Sequence, residues 1–318
     1  PIPRQRIYDL YWYFAAERQR IFLARAAGRP GPWTADPILQ TYKFCNVFRA
    51  ADRVSQYLIR LAYAEPAADP ANVLFRLTAF RLFSRESTWD AVVQHLGHQP
   101  TLADLASGAF TRGLEAALAQ HGRLYTGAFI LCAADAYGQG RKHLNHVALL
   151  QHMFLHDDLA ARLLAAPSLT VVYQLLHGYP LIGDFMAYQI AIDLNYSAHI
   201  NFDENDFTQA GPGAHRGIRK AFESTGGLTD EQIIQYMVRH QSAEFARLGL
   251  DFPGLFGRPL HAIDAQGLFC ELDKYCRQAA PELASNRTRI KARHTPSSQP
   301  LPLFFPPKWG LKIRPNSS

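Results

Sequence analysis

Apolar positions along the chain recur mostly at intervals of three and four residues, the period of helices that bury one face. In "YDLYWYFAAERQRIFLARAAG" Leu10, Tyr13, Phe14, Ile21 and Leu23 fall near that spacing, and Gly28 stands where a C-terminal cap belongs. "GRPGPW" then breaks the chain, and a second helical run is predicted through "TADPILQTYKFCNVFRAADRVSQYLIRLAYA", with Thr34 as its candidate N-cap. Further helical patterns cover residues 70–83, 87–97, 101–120, 142–165, 168–177 and 229–249, and "AIDAQGLFCELDKYCRQ" supplies one more. Thr101 stands before Asp104, and Thr229 before Gln232 as in a capping box. Only "SAHINF", residues 197–202, has strand character near the motifs below. After Pro281 the pattern fades into "SSQPLPLFFPPKWG", which reads as an extended arm. The expected architecture is all-α, two helical lobes over residues 1–286 with a basic, Pro- and aromatic-rich extension over 287–318.

A chain of 318 residues that is 48% apolar has ample material for a core. Cys45, Cys132, Cys270 and Cys276 show no C-x-x-C spacing, which argues against a zinc site or a redox dithiol and fits a reducing compartment. No signal-peptide pattern and no apolar run near 18 residues is present, so a cytoplasmic protein without membrane partners is expected. The net charge of +6 is unevenly placed: seven basic residues and no acid follow residue 286, leaving 26 basic against 27 acidic residues before it. Such a tail attracts polyanions, nucleic acid first among them, unless it is simply solvated.

Several chemistries lack their motifs. There is no G-x-x-x-x-G-K-[ST] loop, no G-x-G-x-x-G after a strand and no G-x-S-x-G elbow. His143/His146 and His152/His156 have helical spacing, but no glutamate sits between them as in H-E-x-x-H, and neither metal nor cofactor is expected.

"YPLIGDFMAYQIAIDL" places a short Pro/Gly turn between two helices, a hairpin within residues 168–195. The backbone N–H groups opening its second helix make a place for one phosphate, and Asp203 follows twenty residues after Gly183. Here the sequence resembles the helix-hairpin-helix DNA glycosylases. Tyr179, Pro180, Ile182, Gly183 and Ala187 match the hairpin pattern and "NFD" puts Asp203 at the position of the essential acid. Leu181 replaces a hairpin glycine and does not readily take positive φ, so a locally different turn is expected. Phe185 stands where lyase-type members carry lysine, which argues against Schiff-base chemistry.

A wider resemblance, spanning roughly residues 7–310, rests on "PWTADPILQTYKFCNVFRAADRVSQYLI", "LIGDFMAYQIAIDLNY", "FDENDFTQAGPGAHRGI" and "LFCELDKYCR". These look like the helical-domain family associated with 5-hydroxymethyluracil DNA kinases, also described as α-glutamyl/putrescinyl thymine pyrophosphorylases. That family makes or excises hypermodified pyrimidines in phage DNA. Without a P-loop domain, the resemblance implies a monofunctional glycosylase that removes a bulky modified pyrimidine from double-stranded DNA, in anti-phage defence. The alternatives are a transferase building on a 5-hydroxymethylpyrimidine and a non-catalytic reader of modified DNA.

In the excision reading Asp203 stabilises the oxocarbenium-like sugar or activates water, with Asp206 and Glu204 as alternative acids. The plainer role of these acids is to cap a following helix. Gly183 and Leu181 of the hairpin would meet the DNA backbone, as would Gly211, Gly213, His215 and Arg216 of "AGPGAHRG", which reads equally as an ordinary turn. For a flipped base, "KFCNVFRAADR" offers Phe44 for stacking, Asn46 for a two-way amide contact and Arg49 for a phosphate or substituent, with Asp52 orienting Arg49. Lys274 of "CELDKYCR" would line the pocket or belong to a solvated face.

Overall fold

A computed structural model describes residues 1–127, 136–283, 287–295 and 302–313; Cys132, named above, and Arg314, one of the seven basic residues after 286, lie outside the described residues. In chain order the helices are α1 (Gln5–Ala26), α2 (Pro37–Thr41), α3 (Arg53–Tyr63), α4 (Pro70–Phe83), α5 (Glu86–Leu96), α6 (Leu102–Ala106), α7 (Ala109–His121), α8 (Lys142–Gln151), α9 (Leu159–Leu164), α10 (Leu169–His177), α11 (Asp184–Asn195), α12 (Pro212–Ala221), α13 (Asp230–Arg247) and α14 (Ala262–Ala279). Two short strands, β1 (Ile2–Pro3) and β2 (Phe222–Ser224), pair antiparallel. The protein is all-α, as its periodicity predicts. No helix among the described residues is long and apolar enough to cross a membrane.

Two compact units divide the chain. One joins Pro1–Asp52 to the described residues from Phe207 onward, and the other is Arg53–Asp206.

In the first unit, α1 buries Tyr11, Trp12, Phe14 and Phe22, whereas Leu10, Tyr13 and Leu23 of the expected face stay partly exposed. The face is rotated because the large rings find partners: Trp12 meets Phe245 edge-on at 5.1 Å and Tyr11 lies 4.7 Å from Phe269. The second predicted run is not continuous. Asp36, not Thr34, caps α2 by accepting from Ile38 N and Leu39 N, and the chain is irregular from Tyr42 to Phe48.

The tract "AGPGAHRG", weighed above as a turn, is helical from Pro212 on. Proline suits a helix's first position because its missing N–H would be unpaired there anyway. Gly213 and Gly217, one turn apart, let α14 approach closely: a Cβ on Gly217 would stand 2.0 Å from the Phe269 carbonyl oxygen, and one on Gly213 2.3 Å from Cys270 Sγ. Beside this crossing Asp273 is fully buried and held by Arg216 (3.1 Å) and Lys220 (3.0 Å) of α12 and Arg277 (2.9 Å) of α14. Burial pushes its carboxyl pKa up, but the hydrogen bonds from Arg277 and Lys220 prevail and hold it below the ordinary value. The C-terminal residues return to this unit: Lys43 N donates to Ala292 O, His294 N donates to Thr41 O, and the Arg258 guanidinium lies 3.9 Å over the Trp309 ring.

In the second unit, α4 is buried almost all round from Val73 onward. Its Arg81 grips Asp193 of α11 with Nε and with Nη2, the latter at 3.0 Å, and both side chains are out of solvent. The predicted helix 101–120 is split at Gly108 (φ 76°), and 142–165 is split by a π-helical turn at His152–His156 and by Asp158 (φ 46°). "SAHINF" is not a strand. Its backbone is satisfied locally, with Ser197 N donating to Leu194 O and Phe202 N to Asn195 Oδ1.

These contacts set two stability expectations, both read from denaturant unfolding. Gly217→Ala should destabilise by about 1–3 kcal/mol, because backbone must move to admit a methyl group, whereas Gly183→Ala, with φ −81° and open space around it, should stay within about 1 kcal/mol of wild type. Asp193→Asn should cost about 3–5 kcal/mol by removing the carboxylate charge that faces the buried Arg81 guanidinium.

Candidate functional site

The helix-turn-helix anticipated from sequence is present in the second unit as α10, a tight turn and α11. Ile182 N donates to Tyr179 O, with Pro180 and Leu181 at the central turn positions. Leu181 has φ 70°. The turn therefore keeps the left-handed residue that glycine normally supplies, and the expectation that a leucine would force another shape is corrected. Gly183 is the extended N-cap of α11, and Ala187 N bonds back to its carbonyl. Asp184 occupies the first turn of α11 and pairs with His177 (2.8 Å) and Tyr173 (3.2 Å).

The Asn195 side chain ties the acid cluster to this hairpin. Asn195, at the end of α11, clasps Phe202 through two hydrogen bonds, of 3.0 and 2.8 Å, which places Asp203 immediately after the clasp. Asp203 is exposed, accepts from Asn205 N at 2.9 Å, and its carbonyl accepts from Asp206 N. Asp206 is exposed too, while Glu204 is buried. None of the three caps a helix, since the next one begins at Pro212 with Gly211 as its N-cap.

The proposed base-pocket residues belong to the first unit. Phe44 is buried beside Phe14 (5.4 Å) and Tyr275 (6.0 Å), with the Lys274 ammonium 4.5 Å from its ring. Both halves of the Asn46 amide are engaged within the chain: Oδ1 accepts from Arg18 at 2.7 Å and Nδ2 donates to Ala51 O at 2.7 Å. Each half of the Asn46 amide thus helps to hold the loop. Asp52 accepts from Asn46 N at 2.8 Å, and Arg49 N donates to Asp264 Oδ1 at 3.0 Å. Glu271 accepts from Cys45 N (3.0 Å) and Lys274 (2.9 Å), so Lys274 lies in an ion pair rather than on a solvated face.

Other expected contacts are also used internally. Gly213 faces Cys270, His215 pairs with Asp230, and Arg216 is committed to Asp273. His143 meets Glu115 at 2.8 Å and His146 meets Tyr125 at 2.8 Å; burial lowers the His146 pKa to about 4. Among the described residues no group of three or more His, Cys, Asp or Glu side chains is placed to hold a metal.

Arg18 escaped the sequence reading because it sits mid-helix among ordinary charged residues, 28 positions from its partner Asn46. Beside it, still within the first unit, lies a cavity of about 720 Å³ reached by Arg18, Arg25, Trp33, Tyr42, Phe44 and His294.

The family described as "5-hmdU DNA kinase, helical domain" matches residues 5–285. The chain belongs to this family. A protein named 5-hmdU DNA kinase, from Bacillus phage SP10, is 28% identical over 300 residues, which cover 89% of this chain and 47% of that relative. The chain therefore spans about half the length of the relative it matches. No solved structure matches it, so the likeness to helix-hairpin-helix glycosylases rests on the sequence motif. The expectation of an N-glycosyl hydrolase is overturned: the family and the relative are both named for a kinase, a transferase of phosphoryl groups rather than a base-excising enzyme.

Within this family member two measurements probe the geometry. Leu181→Gly should raise unfolding stability by about 1 kcal/mol, since leucine in the left-handed region is strained. Burial pushes Asp52 up to about 6, against the hydrogen bond from Asn46 and the charge of Arg18. The folded state thus holds this proton more tightly than the unfolded one. Asp52's contribution to stability is fullest below about pH 4 and is lost as pH rises through 6. Asp52→Asn should flatten the stability–pH curve across that window in urea titrations.

Proposed function

We propose that this chain is the part of a 5-hmdU DNA kinase that recognises DNA carrying 5-hydroxymethyluracil and presents the modified nucleotide for phosphoryl transfer. The family match over residues 5–285 carries the reading. None of the 318 residues forms a G-x-x-x-x-G-K-[ST] loop, so recognition and placement are the contributions this sequence supports. A hydroxymethyl oxygen stacked inside a duplex is poorly placed for in-line attack. A protein that extrudes and orients the nucleotide supplies much of what phosphoryl transfer needs.

Two features support a DNA substrate. The residues after 286 are basic without an acid, which favours a polyanion. The hairpin, tied to the following segment by the two Asn195–Phe202 hydrogen bonds, is an element of the kind that fixes register on a phosphate backbone without reading bases.

Fluorescence anisotropy on duplexes identical except for one 5-hydroxymethyluracil in place of thymine tests the proposal. The modified duplex should bind at least about tenfold more tightly, some 1.4 kcal/mol, and both affinities should fall as salt rises. Equal affinity for the two duplexes at every salt concentration would refute it.

A further inference from the structure

The cavity beside Arg18 is lined by cations, aromatic rings and apolar, uncharged polar or Gly/Pro positions, with no acidic residue in its wall among the described residues. Arg18 Nη2 is occupied by Asn46 Oδ1 and Phe44 O, but Nη1 is buried without a partner. The nearby carboxylates bond other groups, Asp52 taking Asn46 N and Glu271 taking Cys45 N and Lys274, and act on Arg18 through their charge. Among the described residues Arg25 makes no ion pair; its guanidinium lies 5.3 Å over the Trp33 ring. Burial lowers the pKa of both arginines, and Arg18 and Arg25 in turn help lower that of His294. A desolvated guanidinium with an uncommitted edge is a strong site for phosphate oxygens, which match its fork of donors.

The rings supply the other half. Trp33 is half-buried, fixed by its indole N–H to Arg29 O at 2.7 Å, and Tyr42 and Phe44 complete an aromatic wall. Planar bases stack on such rings whatever their sequence. About 720 Å³ is within the usual range for small-ligand cavities.

We infer that this cavity is a nucleotide site, a phosphate held by Arg18 and Arg25 and a pyrimidine ring set against Trp33. The nucleotide arrives either free or as a residue of a DNA strand. This rests on the reading of the chain as a binder of modified nucleotides, and it locates that binding in residues outside the hairpin and the acid cluster.

Isothermal titration of the full chain with three probes tests it: 5-hydroxymethyl-2′-deoxyuridine 5′-monophosphate, the same nucleoside without phosphate, and a single-stranded oligonucleotide carrying that residue. The expected result is saturable binding of the monophosphate or the oligonucleotide, at least tenfold tighter than the nucleoside. Arg18→Gln, Arg25→Gln and Trp33→Ala should each weaken it tenfold or more. Binding of the free monophosphate assigns a soluble ligand, and binding of the oligonucleotide alone assigns a strand-borne one; both uphold the site. Absence of saturable binding to either phosphate-bearing probe overturns it, as does undiminished binding in Arg25→Gln and Trp33→Ala. These two variants lie at half-buried positions, so they remain informative if Arg18→Gln fails to fold. If the preference for modified duplex survives in all three variants, the cavity assignment falls and the DNA reading stands. If wild type binds the monophosphate but shows no preference among duplexes, the DNA reading falls instead.

Discussion

One buried carboxylate, Asp273, governs the first unit. Removed from water, it is tolerable only because α12 delivers Arg216 and Lys220 and α14 delivers Arg277 to it. That convergence requires the two helices to touch backbone to backbone, which Gly213 and Gly217 permit. The same helix α14 then organises the irregular segment after α2 through two further acids. Asp264 takes Arg49 N and Glu271 takes Cys45 N. Three carboxylates on one helix thus fix a helix crossing and a loop, and the loop holds Asn46 against Arg18 at the edge of the cavity.

Much of this was legible in the sequence where it rests on local rules. The helices at 70–83, 168–177 and 229–249 are marked by apolar period and, for the last, by the cap at Thr229, and they fold close to the bounds read. What local rules mistake is chemistry that only tertiary contact explains. Pro212, Gly213 and Gly217 look like a turn because glycine normally weakens a helix, yet here the missing side chains are what the packing requires. Leu181 looks unsuited to a left-handed turn position, yet the flanking helices hold it there. Arg18 carries no local signature at all, since its role is defined by residues far along the chain.

The likeness to glycosylases illustrates how scaffold and reaction separate. A hairpin followed by an acid is a way of holding a nucleic-acid backbone near a carboxylate, and the same frame serves different chemistries. In this chain Asp203 is solvent-exposed and turned onto its own backbone, while the family is named for phosphoryl transfer. The polar network around Asn46 owes nothing to that frame, lying in the other unit.

The first unit is discontinuous in sequence: residues 1–52 complete their core with residues that begin at 207, and β1 pairs with a strand more than 200 positions later. Residues 53–206, by contrast, are contiguous and contain their own core. On a ribosome the second unit has all it needs once residue 206 emerges, while Tyr11, Trp12 and Phe14 must wait for α13 and α14 with their apolar faces uncovered. The inserted unit is therefore the natural first folder.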